Sequence, residues 1–225
     1  MLNDKDIEYI SSAYTFWDKL TRDQKELLIN HTQKVEYKRG DSIHSSDTEC
    51  VGVLLIKKGA LRVYLLSEEG KEVTLYREYQ GDICVLSASC ILDQITFDVH
   101  IDAVSDSYIY KTSANIFDKL CNENIYVDNF TNKKVIDRFS GVMWAMQQIL
   151  FMSFDKRLAI FLYEEIIKNK TNKIKLTHEQ IAKYVGSARE VVTRMLNYFL
   201  EEKIVELSRG VVEVIDKEKL KEIIY

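Results

Sequence analysis

Gly59, Gly70 and Gly81 stand 11 residues apart in a chain that contains no proline. They separate short alternating or β-branched runs, VGVLLIK, ALRVYLL and EVTLYRE. A strand plus a tight turn recurs at about this spacing in antiparallel sandwiches and barrels, whereas a parallel sheet needs a crossover helix between strands. Without proline, Gly, Asn and Asp must supply every tight turn. With KVEYK, DVHIDAV and SYIYK added, the stretch from Val35 to Thr112 is predicted to form a small antiparallel β-roll.

The texture on either side is helical. From Ile7 to Asn30 the apolar residues Phe16, Leu20, Leu27 and Leu28 keep helical spacing, and Thr21 followed by Asp23 marks a helix start. After the roll come a short helix near Ala114 to Cys121 and a long one from about Tyr126 to Met152. In the long helix Ile136, Phe139, Met143, Met146 and Leu150 follow alternating three- and four-residue steps, the a/d pattern that seals two helices together. A parallel pair with a second copy and an amphipathic helix on its own domain both fit the pattern. Val142 and Trp144 lie off the seam and need a further apolar surface, which the roll can offer.

A helix from Asp155 to Asn169 leads into a lysine-rich loop, Lys168 to Lys175, and then a helix pair. Thr177 and Gln180 form a capping box at the first helix, whose Ile181, Ala182 and Val185 face inward. Gly186 makes the turn. The second helix is predicted from Ser187 to Leu200, with Val191, Val192, Met195, Leu196 and Phe199 as its apolar stripe. IVEL and VVEVI flank Ser208, Arg209 and Gly210 as a β-hairpin wing. The expected domains are 1–123 for the roll, 124–153 for the long helix and 154–225 for the winged part.

Composition narrows the function. Apolar residues make up 46% and charged residues 29% of the 225, enough for packed cores. No apolar run approaches the roughly 18 residues that span a bilayer, and Met1 to Ile10 is polar, so a cytoplasmic chain with no membrane partner is expected. Cys50, Cys84, Cys90 and Cys121 form no CxxC pair and read as thiols. The four histidines scatter from His31 to His178, which gives no metal cluster and no sign of an enzyme. The net charge is −4, but residues 155–225 carry 14 Lys/Arg against 12 Asp/Glu. The C-terminal part is therefore the better partner for phosphate.

In a helix-turn-helix, side chains near the start of the second helix reach base edges while their neighbours hold phosphates. Off the apolar stripe of GSAREVVTRML lie Ser187, Arg189, Glu190, Thr193 and Arg194. Arginine bonds bidentately to guanine and glutamate accepts from cytosine, each worth roughly 1–3 kcal/mol of discrimination. An ordinary charged face, with Glu190 and Arg194 paired four residues apart, accounts for the same residues. Thr177, His178, Arg209 and the loop lysines are candidate phosphate contacts, and Lys183 joins them.

At these residues the chain resembles the Crp/Fnr superfamily, named for the cyclic-AMP receptor protein and the fumarate and nitrate reduction regulator. The likeness runs through YKRGDSIH, GALRVYLL and the long helix to THEQIAKYVGSAREVVTRML. It implies an α+β fold with an N-terminal antiparallel β-roll of jelly-roll or cupin-like type, a dimerisation helix and a C-terminal winged helix-turn-helix. Arg189, Glu190 and Arg194 match the family's base-reading positions, and Thr193 falls where the Fnr branch often has serine. The resemblance implies a homodimeric transcription regulator on a palindromic operator with TGTGA-type arms, and RNA polymerase as a further partner.

The resemblance also implies an effector in the roll. The cyclic-nucleotide branch uses a Gly-Glu pair and an Arg-Ser pair. Here Val85 and Leu86 stand in place of Gly-Glu, and no arginine lies between Arg77 and Arg138, so an anionic cyclic phosphate would lose its hydration with little return. An iron-sulfur cluster needs four gathered thiolates, and only Cys84 and Cys90 are near each other. A haem needs an axial ligand; Ser87 replaces the expected histidine, leaving His44, His100 and Cys84. The favoured reading is a small uncharged or aromatic effector, with no certain cofactor, in a pocket walled by Tyr76, Cys84, Leu86, Ser87, Ser89, Thr96, Phe97, Val99, Met143 and Trp144. The other is no ligand pocket of consequence, or a thiol switch at Cys84 and Cys90.

Overall fold

A computed structural model of the chain describes residues 2–45, 51–85 and 99–225. Met1–Glu68 with Leu75–Val142 forms one folded unit, and Glu69–Thr74 with Met143–Tyr225 forms a second. In the first, VLLI opens strand β3 (Val53–Lys58) with no polar residue. A strand with one wet face would alternate. The structure buries both faces: Val53 and Leu55 join one core, Leu54 and Ile56 the other, each at most 1% exposed.

Two antiparallel sheets of four strands make the roll. One has the order β1 (Thr32–Tyr37), β8 (Ser107–Thr112), β3 and β6 (Ile83–Cys84). The other runs β2 (Ser42–His44), β7 (His100–Ala103), β4 (Ala60–Leu66) and β5 (Glu72–Tyr79). The core between the sheets holds Leu54, Ile56, Leu61, Val63, Ile101 and Ile109. Gly59 closes the β3–β4 turn at φ +99°, where a Cβ would lie 2.7 Å from the Ser107 Cα. Only glycine fits there.

The outer core lies between the first sheet and the helices. Ile10 and Tyr14, on or just after α1 (Asp4–Ala13), join Leu28 of α2 (Arg22–Asn30), Phe117 and Leu120 of α3 (Ala114–Glu123), and Val127 of α4 (Ile125–Phe151). Phe16 adds an edge-to-face contact with Phe130 at 5.1 Å. Capping boxes at Asn3/Asp6 and Thr21/Gln24 start α1 and α2.

Asp6 also ties α1 to the sheet. Its Oδ1 accepts from the Tyr110 hydroxyl at 2.6 Å and from Lys57 Nζ at 2.9 Å, with Lys34 Nζ at 3.6 Å. The Tyr110 hydrogen bond foremost, with Lys57, holds the carboxyl well below the usual carboxylate range against the opposing cost of burial.

The second unit is built on α5 (Phe154–Asn169), α6 (His178–Val185), α7 (Arg189–Glu201) and α8 (Lys217–Ile224), with a three-stranded sheet β10 (Val205–Ser208), β11 (Val211–Val214) and β9 (Lys173–Ile174). Leu158, Leu162, Ile181, Val192, Leu196, Phe199 and Val212 form its core. Three sequence readings need revision. The lysine-rich segment holds a strand, since Ile174 pairs with Val212 and buries its side chain. The second helix starts at Arg189 rather than Ser187, because Gly186 and Ser187 are spent on the turn. A last helix, α8, is capped by Asp216 Oδ1, which accepts from the Glu218 and Lys219 amides. Among the described residues, no helix is long and apolar enough to cross a membrane.

Asp6→Asn should lower stability by about 1.5–3 kcal/mol, the range for a hydrogen bond to a charged group, as read by urea unfolding at pH 7. A depressed carboxyl stabilises the fold above its unfolded pKa, so the wild-type advantage should shrink as pH falls below about 4.

Candidate nucleic-acid interface and buried polar site

α6 begins and ends as its residues dictate. Thr177 Oγ1 accepts from the Gln180 amide at 3.2 Å and Gln180 Oε1 accepts from the Thr177 amide at 2.9 Å. Gly186 ends the helix in the left-handed conformation, φ +61° and ψ +53°. Arg157 of α5 then fastens the turn, its Nη1 donating to the Val185 carbonyl at 2.9 Å. The stripe of α7 divides by depth: Val192, Leu196 and Phe199 are fully buried, while Val191 and Met195 are half-buried.

On the opposite face Arg189, Glu190 and Arg194 are exposed. Glu190 and Arg194 do not pair with each other, and neither arginine has an ion-pair partner among the described residues, so the forks stand open. They share a surface groove with Thr193, Asn197, Tyr198 and Glu201. Asn197 and Tyr198 escaped the sequence reading; their position one turn beyond Arg194 on the same face was the available signal. Thr193 is half-buried, and its Oγ1 lies 2.9 Å from His178 Nδ1. Ser187 sits half-buried in the turn.

A second groove, of about 410 Å³, runs between α6 and the wing, lined by Leu176, Thr177, His178, Glu179, Arg189, Ser208, Arg209, Gly210 and Val211. Thr177 and Arg209 are exposed at its rim and His178 is half-buried. Burial foremost, with the positive charge of Arg189, holds the His178 imidazole below its ordinary pKa. Lys168, Lys170, Lys173 and Lys175 are exposed. Lys183 is engaged: its Nζ lies 2.9 Å from Glu72 Oε1 and its carbonyl accepts from Thr74 Oγ1 at 2.7 Å.

The long helix keeps an apolar seam uncovered. Ile136 and Phe139 are each 64% exposed, Met143 and Met146 46%, and Leu150 65%. Met143 and Trp144, expected as pocket walls, are both more than 40% exposed. Of the other expected pocket residues, Leu86, Ser87, Ser89, Thr96 and Phe97 lie outside the described residues, as do Cys50 and Cys90. Cys84 and Val99 are buried in the inner core of the roll. His44 is buried, and His100 is half-buried and stacked on Tyr64 at 5.3 Å. Among the described residues, no three His, Cys, Asp or Glu side chains gather closely enough to hold a metal ion.

Next to Tyr76 the sequence reading missed a polar site. Glu78 of β5 is 0% exposed, and Arg138 of α4 brings Nη2 to 3.0 Å from its Oε1. Among the described residues, both Glu78 oxygens, the Tyr76 hydroxyl and Arg138 Nε are buried and make no well-aligned hydrogen bond. The guanidinium lies 5.0 Å from the centre of the Tyr76 ring. Burial pushes the Glu78 carboxyl up to about 7, with Arg138 offsetting part of the rise. Burial, with Cys84 and Glu78 nearby, also pushes the Tyr76 hydroxyl well above its usual range. Glutamate reads as solvated in a linear scan, and Arg138 is 60 residues away along the chain.

Two family models match: a Crp-like helix-turn-helix domain over residues 156–223 and a cyclic nucleotide-binding domain over residues 34–124. The solved structure of a protein assigned as a transcriptional regulator of the Crp/Fnr family, from Eubacterium rectale, is 43% identical. It covers 95% of this chain and 99% of its own, with a TM-score of 0.90. The cyclic AMP receptor protein of Thermus thermophilus is 22% identical over 206 residues, 92% of this chain and 94% of the relative. The fumarate and nitrate reduction regulatory protein of Vibrio cholerae is 19% identical over 211 residues, 89% and 81%.

Glu78→Gln should stabilise the protein above pH 7 by about 1–3 kcal/mol, judged from the upward displacement of the carboxyl. A raised carboxyl costs stability once the unfolded chain ionises and the folded one does not, so the gain should vanish near pH 4. Thermal unfolding at the two pH values measures it.

Proposed function

The chain belongs to the Crp/Fnr family of transcriptional regulators, and on that premise we propose that it acts as a homodimer on a palindromic DNA operator under control of a small uncharged effector. The observation that carries the DNA reading is the pair of unpartnered arginine forks, Arg189 and Arg194, flanking Glu190 on the exposed face of α7. Base edges in the major groove offer such forks their bidentate acceptors, G·C pairs above all. Arg209, Thr177 and the lysines of the β9 segment supply the phosphate contacts that set register.

The seam on α4 supports the dimer. A single chain leaves five large apolar side chains at a/d spacing in water, and a second α4 in parallel register covers each with its own equivalent. Two-fold symmetry then sets the recognition helices about 34 Å apart, one turn of DNA.

The effector is assigned to the polar site around Tyr76, Glu78 and Arg138. An anion placed there would lie beside the buried Glu78 carboxyl and would lose its hydration on entry. A neutral molecule with both a donor and an acceptor satisfies the Glu78 oxygen, the Tyr76 hydroxyl and the Arg138 Nε at once. Each buried polar group left unmet costs about 1–3 kcal/mol, and that deficit is what the effector recovers.

DNA binding is tested by fluorescence anisotropy with a 30-base-pair duplex carrying inverted TGTGA arms, at two salt concentrations. Affinity should fall steeply with salt, and Arg189→Ala or Arg194→Ala should each cost about 1–3 kcal/mol and relax preference at one base position. Equal binding by both variants would remove the base-reading role. Phe139→Glu should turn the protein monomeric in sedimentation and abolish preference for the two-armed duplex; a dimer that survives it would refute the seam.

A further inference from the structure

The two helices of the helix-turn-helix share a side-chain hydrogen bond that base reading does not call on. His178, the first residue of α6, places Nδ1 2.9 Å from Thr193 Oγ1 at the middle of α7. The ring is half-buried in the groove between α6 and the wing. The charged groups that share this groove are Arg189 from α7, Arg209 from the β10–β11 turn and Glu179 from α6 itself. Two cations and one carboxylate leave the groove net positive, so the free protein disfavours a third positive charge on the imidazole. Burial acts in the same direction and favours the neutral ring.

A DNA backbone reverses that balance. Phosphates in the groove neutralise Arg189 and Arg209 and draw positive charge to the ring between them. The neutral imidazole has a single N–H, which faces either Thr193 or the groove. The imidazolium has two, so it donates to the Thr193 hydroxyl from Nδ1 and to a phosphate oxygen from Nε2 together. We infer that His178 is a proton-linked contact of the DNA interface: held by Thr193, it takes up one proton from solvent when phosphates enter the groove, so the regulator grips DNA more tightly as pH falls. This rests on the DNA-binding reading given above.

Linkage fixes the size. Each unit by which DNA raises the ring's pKa strengthens binding tenfold per subunit at pH values below both constants. The test measures the affinity of the full-length protein for the inverted-TGTGA duplex from about pH 5.8 to 8.2 at constant ionic strength, for wild type, His178→Gln and Thr193→Val. Wild type should bind roughly 5–10-fold more tightly at the acid end. His178→Gln, which keeps a polar side chain that does not titrate, should show a flat profile whatever its absolute affinity, with its thermal midpoint checked by circular dichroism. Thr193→Val should lose at least half of the wild-type ratio between acid and alkaline affinities, whatever its absolute affinity. A flat wild-type profile, or an unaltered slope in His178→Gln, would overturn the inference while leaving DNA binding intact. Failure of wild type to bind any duplex at low salt would instead overturn the DNA reading, and this inference with it.

Discussion

The fold of the first unit depends on a strand that has no outside. β3 meets helices on one face and the opposing sheet on the other, so Val53, Leu54, Leu55 and Ile56 serve two cores alternately. A slip of one residue in its pairing with β8 would exchange the two sets of side chains. That register is shared with Tyr110, whose hydroxyl must reach Asp6, and with Ile109, which must face the roll interior. The first unit is therefore aligned by packing before any polar group acts, and the polar groups that remain inside it are exceptions held by a rigid frame.

Much of this was legible in the sequence. The 11-residue glycine spacing gave the turns, the a/d steps gave α4, and Thr177, Gln180 and Gly186 marked the limits of α6 because caps and left-handed turns are local in the chain. What stayed hidden was non-local. β9 is only Lys173 and Ile174, with no period to read, and it exists because β11 offers an edge. Ser187 lies in the turn because Gly186 needs a successor before α7 can start.

The site residues divide in the same manner. Arg189, Glu190 and Arg194 were legible because an amphipathic helix separates its faces by sequence spacing alone. Glu78 and Arg138 were not, since their meeting requires α4 to lie against β5. No arginine lies between Arg77 and Arg138 in the sequence, yet a cation does arrive at Glu78 from the long helix. That meeting depends on the packing of the two elements, which no linear spacing encodes.

The unmet polar groups at Tyr76, Glu78 and Arg138 have a consequence for anyone who tries to make this regulator hardier. Screens for heat resistance reward side chains that stop paying for burial, and here the nearest improvement is a neutral polar replacement at position 78. If the effector sits where we propose, a lineage selected that way would accumulate proteins that fold well and still carry an open α7 face, but that no longer hear their signal. On that proposal, robustness and responsiveness compete for the same few atoms.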